Sequence, residues 1–209
     1  MISLLWNIHA TETRRSRARL VLGLINKLLK WTRMYIRITA LKCRGLRQLG
    51  FSFIDPKCKI SCPKNITIGP GCIIGNCHLY ALDKIVIGRN TIIGDGVFVC
   101  TGSHDIDSDG FNLVTKSIEI GDYVWISTNA TILPGVVISS GAVIGACAVV
   151  SKDVPSGGVV VGNPGKIIRT RANFPKRSVL HLVGLDLRQA LQQLLFSNSN
   201  SPGSAEPRS

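Results

Sequence analysis

Residues 120–154 read IGDYVWISTNATILPGVVISSGAVIGACAVVSKDV, and an aliphatic residue stands at every sixth place: Ile120, Ile126, Ile132, Ile138, Ile144 and Val150. The following residue is small in most units (Gly121, Ser127, Ser139, Gly145, Ser151), and the position four after the aliphatic one is Val124, Ala130, Val136, Ala142, Ala148 or Val154. A period of six fits neither a helix nor a hairpin meander. It fits a short strand, a corner, and another short strand turned by about 120°, so that three units close a triangular coil and coils stack at the strand spacing of about 4.8 Å. The aliphatic residue points inward on each face.

The same phase appears earlier, at Ile68 and Ile74 with Tyr80 as an imperfect member, then at Ile87, Ile93 and Val99. It breaks between Val99 and Ile120. The interrupting stretch, 101–117, contains His104 and three aspartates, and an insertion in a solenoid leaves one face as a loop, often the functional one. The reading is therefore an all-β core. Residues 1–57 form a basic, partly helical segment, 58–171 the coil, 172–196 a C-terminal helical segment and 197–209 a disordered tail rich in Ser, Asn and Pro.

Composition agrees with a β-core. Hydrophobic residues reach 45% but aromatics only 6%, with 21 Gly among 209 residues, which suits Ile/Val strands and tight corners better than a helical bundle. The net charge of +13 is concentrated at the N-terminus, where Arg14, Arg15, Arg17, Arg19, Lys27, Lys30, Arg33, Arg37, Lys42, Arg44, Arg47 and Lys57 face only Glu12 and Asp55. Leu20, Leu24, Leu28, Trp31 and Tyr35 have helical spacing, so an amphipathic helix is expected there, either capping the coil or lying on an anionic membrane through residues 14–47. No apolar run is long enough to span a bilayer. No aromatic base-stacking set accompanies the charge, so no nucleic acid is expected as partner.

The seven Cys are an odd number, and no secretory signal precedes them, which points to reduced thiols in the cytoplasm. Cys58, Cys62, Cys72 and Cys77 are too loosely spaced for a zinc site and read as packed thiols. The run from Asp105 to Gly110 imitates the start of a calcium loop, but Lys116 stands where the loop needs Glu. No metal is expected. His78 reads as structural.

Cys100–Asp105 (CTGSHD), Ile120–Ile126 (IGDYVWI), Ile132–Gly135 (ILPG), Val149–Pro155 (VVSKDVP) and Val161–Ile168 (VGNPGKII) occur in this order. With them the stretch from Ile66 to Arg169 resembles the hexapeptide-repeat acyltransferases, and within these the sugar and exopolysaccharide O-acetyltransferases of the colanic-acid type. The resemblance implies a left-handed parallel β-helix, a homotrimer, and acetyl-CoA lying in a groove between coils. It implies His104 as general base, which suits a carbohydrate hydroxyl because an imidazole near pKa 6.5 accepts a proton at neutral pH. It further implies Trp125 beside the CoA arm, Thr128, Ala146, Ser151 and Lys152 along the pantetheine and phosphate end, and Lys166 at the nucleotide phosphates.

Two residues depart from the family pattern: Ser127 replaces a Gly, and Ala81 stands where many relatives carry an acceptor-binding Asn. The acceptor therefore does not carry over. The expected function is acetyl-CoA-dependent O-acetylation of a carbohydrate in surface polysaccharide or glycan synthesis, in the cytoplasm or at the inner face of the membrane. The alternatives are N-acylation of an amino sugar and, more distantly, a non-catalytic trimeric scaffold. A carbonic anhydrase on this coil would need three His, and the coil offers only His78 and His104.

Overall fold

The computed structural model describes residues 22–174 apart from 24, 27 and 30. The chain winds through three parallel sheets, as the period of six requires, and forms the expected left-handed β-helix. The first face stacks Arg47–Gln48, Ile66–Ile68, Ile85–Ile87, Ile118–Ile120 and Val137–Ile138. The second stacks Phe53–Ile54, Ile73–Ile74, Ile92–Ile93, Trp125–Ile126, Val143–Ile144 and Gly158–Val161, and Lys166–Thr170 returns antiparallel on the last of these. The third stacks Lys59–Ile60, His78–Tyr80, Phe98–Cys100, Thr131–Ile132 and Val149–Val150.

Inside, the aliphatic columns superpose. Ile68, Ile87, Ile120 and Ile138 are in register on one face, and Ile74, Ile93, Ile126 and Ile144 on the next, all buried. The corners are filled by smaller side chains such as Cys77, Val97, Ala130 and Ala148. Two buried hydroxyls stand in for backbone partners. Thr91 Oγ1 donates to Gly121 O (2.8 Å) and accepts from Val124 N (3.2 Å). Ser52 Oγ does the same between Gly69 O (2.8 Å) and Cys72 N (3.0 Å). Buried polar atoms placed in this way cost the core little. Several corner residues take positive φ, and at Gly96 (φ +71°) a Cβ would lie 2.0 Å from Asn129 Oδ1, so a side chain there would be strained and would displace that amide.

A helix covers residues 31–43, with helical residues described back to 22. Met34 and Ile38 pack on the outward side of the second face against Phe53 and Ile73, and Leu41 joins Leu46 in closing the coil interior. The Arg37 guanidinium donates to the carbonyls of Pro56 and Cys58 and ties the helix to a corner.

Three expectations are corrected. The coil starts at Arg47, not 58, because Phe53–Ile54 and Lys59–Ile60 already pair with the following coil. Leu79, not Tyr80, is the inward member: Cys77 N bonds back to Gly75 O (2.9 Å), which shortens that corner by one residue. The helix buries Met34 and Leu41, with Ile38 and Trp31 partly buried, whereas Leu28 (65% exposed) and Tyr35 (74%) of the expected stripe face outward. Leu20 and Leu24, the C-terminal helical segment beyond 174 and the tail 197–209 lie outside the described residues.

Candidate active site

The break in phase is a β-hairpin. Ile87 pairs with Ile120, 33 residues on, where Ile120 pairs with Ile138 only 18 residues on. The difference leaves the coil at the corner between the third and first faces. Gly102–His104 pairs antiparallel with Leu113–Thr115, with His104 opposite Leu113. The base sits flush on the previous coil, since a Cβ at Gly102 would come 2.7 Å from Leu82 and 3.5 Å from the Tyr80 ring. The tip is fixed by its own short side chains. Asp105 Oδ1 accepts from Asp107 N (3.1 Å), Ser108 Oγ donates to Asp105 O (2.9 Å), and Asn112 N donates to Ser108 Oγ (2.9 Å). The Asp105–Gly110 run that imitated a calcium loop is thus a turn, and no group of three metal-ligating side chains occurs among the described residues.

This turn places Phe111 at φ +46° and stacks its ring on the His104 imidazole, with centroids 4.6 Å apart and planes 8° apart. His104 Nδ1 lies 2.7 Å from Phe111 O. A carbonyl oxygen only accepts, so Nδ1 carries a proton, and in the neutral ring Nε2 then keeps its lone pair. The ring is exposed, held on one face by the Phe111 ring and at Nδ1 by the Phe111 carbonyl.

The other expected site residues fall on two edges of the triangle. Ser151 and Lys152 are exposed on the corner from which the hairpin leaves, further along the coil. Thr128 and Ala146 stack on the corner between the second and third faces, where Cys147 N bonds Thr128 O (3.0 Å). Lys166 opens the antiparallel strand just after that same corner. Trp125 stands outward on the second face, 51% exposed, in register between Ile92 and Val143. One chain thus does not gather these residues: His104 shares an edge with Ser151 and Lys152, and the remaining set lines another.

Sequence reasoning missed two features. Phe111, as the clamp on His104, depends on hairpin register and leaves no spacing signal. The second is an aromatic patch on the third face beside the hairpin base. His78 lies 5.7 Å from Tyr80 and 5.3 Å from Phe98, ring to ring, and its Nε2 meets Ser61 Oγ at 3.2 Å. Burial, and then the nearby Lys59, hold the His78 imidazole below its ordinary pKa. The signal was present: His78 and Phe98 each immediately precede an inward aliphatic residue and so point outward.

The fold is a parallel β-helix with a hairpin leaving the corner between the third and first faces and presenting the His104 imidazole, and it is found again in the proteins that this chain resembles. Residues 117–152 match the family described as Bacterial transferase hexapeptide (six repeats). The chain is 39% identical over 119 residues to WcaF of Escherichia coli K12, whose name assigns it provisionally to colanic acid biosynthesis as an acetyltransferase; the match covers 56% of this chain and 65% of that protein. It is 32% identical over 123 residues to the galactoside O-acetyltransferase of the same organism, covering 56% of this chain and 60% of that one. Among solved structures, a hexapeptide-repeat acetyltransferase of Vibrio cholerae complexed with acetyl-CoA superposes with a TM-score of 0.62 at 31% identity, over 66% of this chain and 79% of that one. The chain belongs to the hexapeptide-repeat acetyltransferase family. It spans about two thirds or less of the length of these two curated relatives.

Proposed function

We propose that this protein transfers an acetyl group from acetyl-CoA to a hydroxyl of a carbohydrate, with His104 as general base, in a homotrimer. The observation that carries the reading is the His104 imidazole, whose Nδ1–H is tied to Phe111 O so that Nε2 is the free base. In the reaction Nε2 takes the acceptor hydroxyl proton as the oxygen attacks the thioester carbonyl. The tetrahedral intermediate then expels the CoA thiolate, which takes that proton from the imidazolium. The Vibrio cholerae relative binds acetyl-CoA and the Escherichia coli relative acts on galactosides, which supports donor and acceptor class.

The two-edge distribution of site residues supports the trimer. Around a threefold axis, the edge carrying His104, Ser151 and Lys152 meets the edge of a neighbouring copy carrying Thr128, Ala146 and Lys166, with Trp125 close by. The donor would lie in that groove, its phosphates between Lys152 and Lys166. The half-buried, mutually inclined rings of His78, Tyr80 and Phe98 offer an aromatic surface beside the hairpin for the acceptor. The reading places the protein in the cytoplasm, where the donor is made and the described cysteines, all unpaired, stay reduced.

His104→Ala tests it. The variant is expected to keep its assembly and its acetyl-CoA affinity by calorimetry while turnover with a carbohydrate acceptor falls by about a hundredfold or more. Near-normal turnover would remove His104 from the chemistry. Lys152→Ala and Lys166→Ala are expected to weaken donor binding, and unchanged affinity in both would move the groove elsewhere. A panel of sugar alcohols against amino sugars separates O- from N-acylation.

A further inference from the structure

We propose that the outward face of the N-terminal helix docks on an anionic lipid surface. At about 100° per residue, Leu22, Ile25, Leu29 and Ile36 fall in one arc of about 60°, on the side opposite Met34, Ile38 and Leu41, which hold the helix to the coil. The helix is therefore apolar on two opposite sides, and the coil uses only one. Leu22 is 59% exposed and Ile36 62%, and Leu28 and Tyr35 widen the free side.

Two polar side chains within this face already have partners on the helix itself. Thr32 Oγ1 donates to Leu28 O (2.9 Å) and Thr39 Oγ1 to Tyr35 O (3.0 Å), so both hydroxyls are turned onto the helix backbone and their methyls are left outward. Such back-bonding suits a surface that leaves water for hydrocarbon. Among the described residues no helix is long and apolar enough to cross a membrane, so the helix would lie in the interface plane.

Charge selects the occupant. No carboxylate stands between Glu12 and Asp55 in the sequence, whereas Lys42, Arg44 and Arg47 lie on or just after the helix, and Arg14, Arg15, Arg17 and Arg19 precede it; Arg33, beside Leu29, opens on a cavity that Asp55 and Asp95 also line. A second copy docked through this face would oppose cation to cation. An anionic leaflet offers hydrocarbon to the leucines and phosphate to the cations together. The proposal goes beyond the transfer chemistry and does not depend on it.

The experiment is flotation of the full chain with phosphatidylglycerol vesicles and with phosphatidylcholine vesicles, at low and high salt. The chain is expected to float with phosphatidylglycerol at low salt and to be released by salt. The fourfold variant Leu22→Gln, Ile25→Gln, Leu29→Gln, Ile36→Gln is expected to lose about a hundredfold or more in partitioning while keeping its melting temperature and its mass by light scattering. Wild-type chain left in the soluble fraction at low salt, equal flotation with both lipids, or undiminished flotation of the variant each overturns the proposal. A changed mass in the variant also overturns it, by making the face a contact between copies. Should the fourfold variant misfold, Leu28→Gln alone, at a position already exposed, is expected to lose several-fold, and unchanged flotation of that variant overturns the proposal equally.

Discussion

The coil and the hairpin that leaves it are held by different forces. In the coil every inward aliphatic residue from Ile54 to Val150, Ile60 excepted, is buried, and neighbouring strands are two or three residues long. Such strands hold only because each side chain rests on the same side chain one coil away. In the hairpin every residue from Ser103 to Ser117 is exposed except the half-buried Ser108, and shape comes from backbone pairing and short Asp, Ser and Asn side chains. Burial therefore fixes the platform, and local hydrogen bonds aim the imidazole. Changes in the one should be felt as stability, and changes in the other as rate.

The sharpest test of that division is a pair of variants. Ile126→Ala, in the middle of a buried column, is expected to cost about 3–5 kcal/mol of stability, seen as a large drop in denaturation midpoint. His104→Ala is expected to leave the midpoint within about 0.5 kcal/mol while slowing transfer by about a hundredfold. A destabilised His104→Ala would break the comparison, because the hairpin would then be part of the core.

Phe111→Ala is a finer probe. It removes the ring stacked on His104 but keeps the carbonyl that holds Nδ1. Turnover is expected to fall by about tenfold with donor affinity unchanged, and partial recovery in Phe111→Tyr would show that the stack positions the imidazole. Thiol labelling probes the platform. Cys43 is exposed and should react at once in the native protein, whereas burial pushes the Cys72 thiol up to about 11 and should protect it until the coil unfolds.

The smallest effect expected is at His78. Burial holds its folded pKa below the ordinary imidazole value, so the unfolded chain binds that proton more readily. Stability contributed through this site is complete above the ordinary value and declines as pH falls through it. Comparing midpoints of wild type and His78→Gln across that range should show the wild type losing slightly more. An identical pH profile would mean that the aromatic patch does not desolvate the ring.

The coil was legible because a single requirement, an inward aliphatic residue, recurs without exception from Ile120 to Val150. It faded where the requirement was relaxed. At Gln48 the inward column gives way to a half-buried amide whose Nε2 bonds Ser52 O (3.3 Å), so the first coil carried no complete signal. Near Leu79 a tighter corner moved the phase by one. The helix was legible as a helix, but with apolar residues on two sides its periodicity could not say which side the coil takes. The hairpin announced itself by breaking the phase, and His104 by its motif. The bond from Nδ1 to Phe111 O was hidden, because it depends on cross-strand register set by a tip of small polar residues.

A parallel coil has no natural last turn, since each finished turn is a template for another. This one is terminated by different devices at its two ends. Leu41 and Leu46 close the first turn from within. At the other end Lys166–Thr170 runs back against Gly158–Val161 with a register shift between Val159 and Val160, so the next available edge points the wrong way to continue the stack. Arg171 fastens that reversal by donating from Nε to Gly141 O (2.6 Å) and lying 5.4 Å over the Phe174 ring. Among the described residues the coil is thus closed at both ends, and loosening this clasp should turn a discrete particle into a seed for end-to-end fibres.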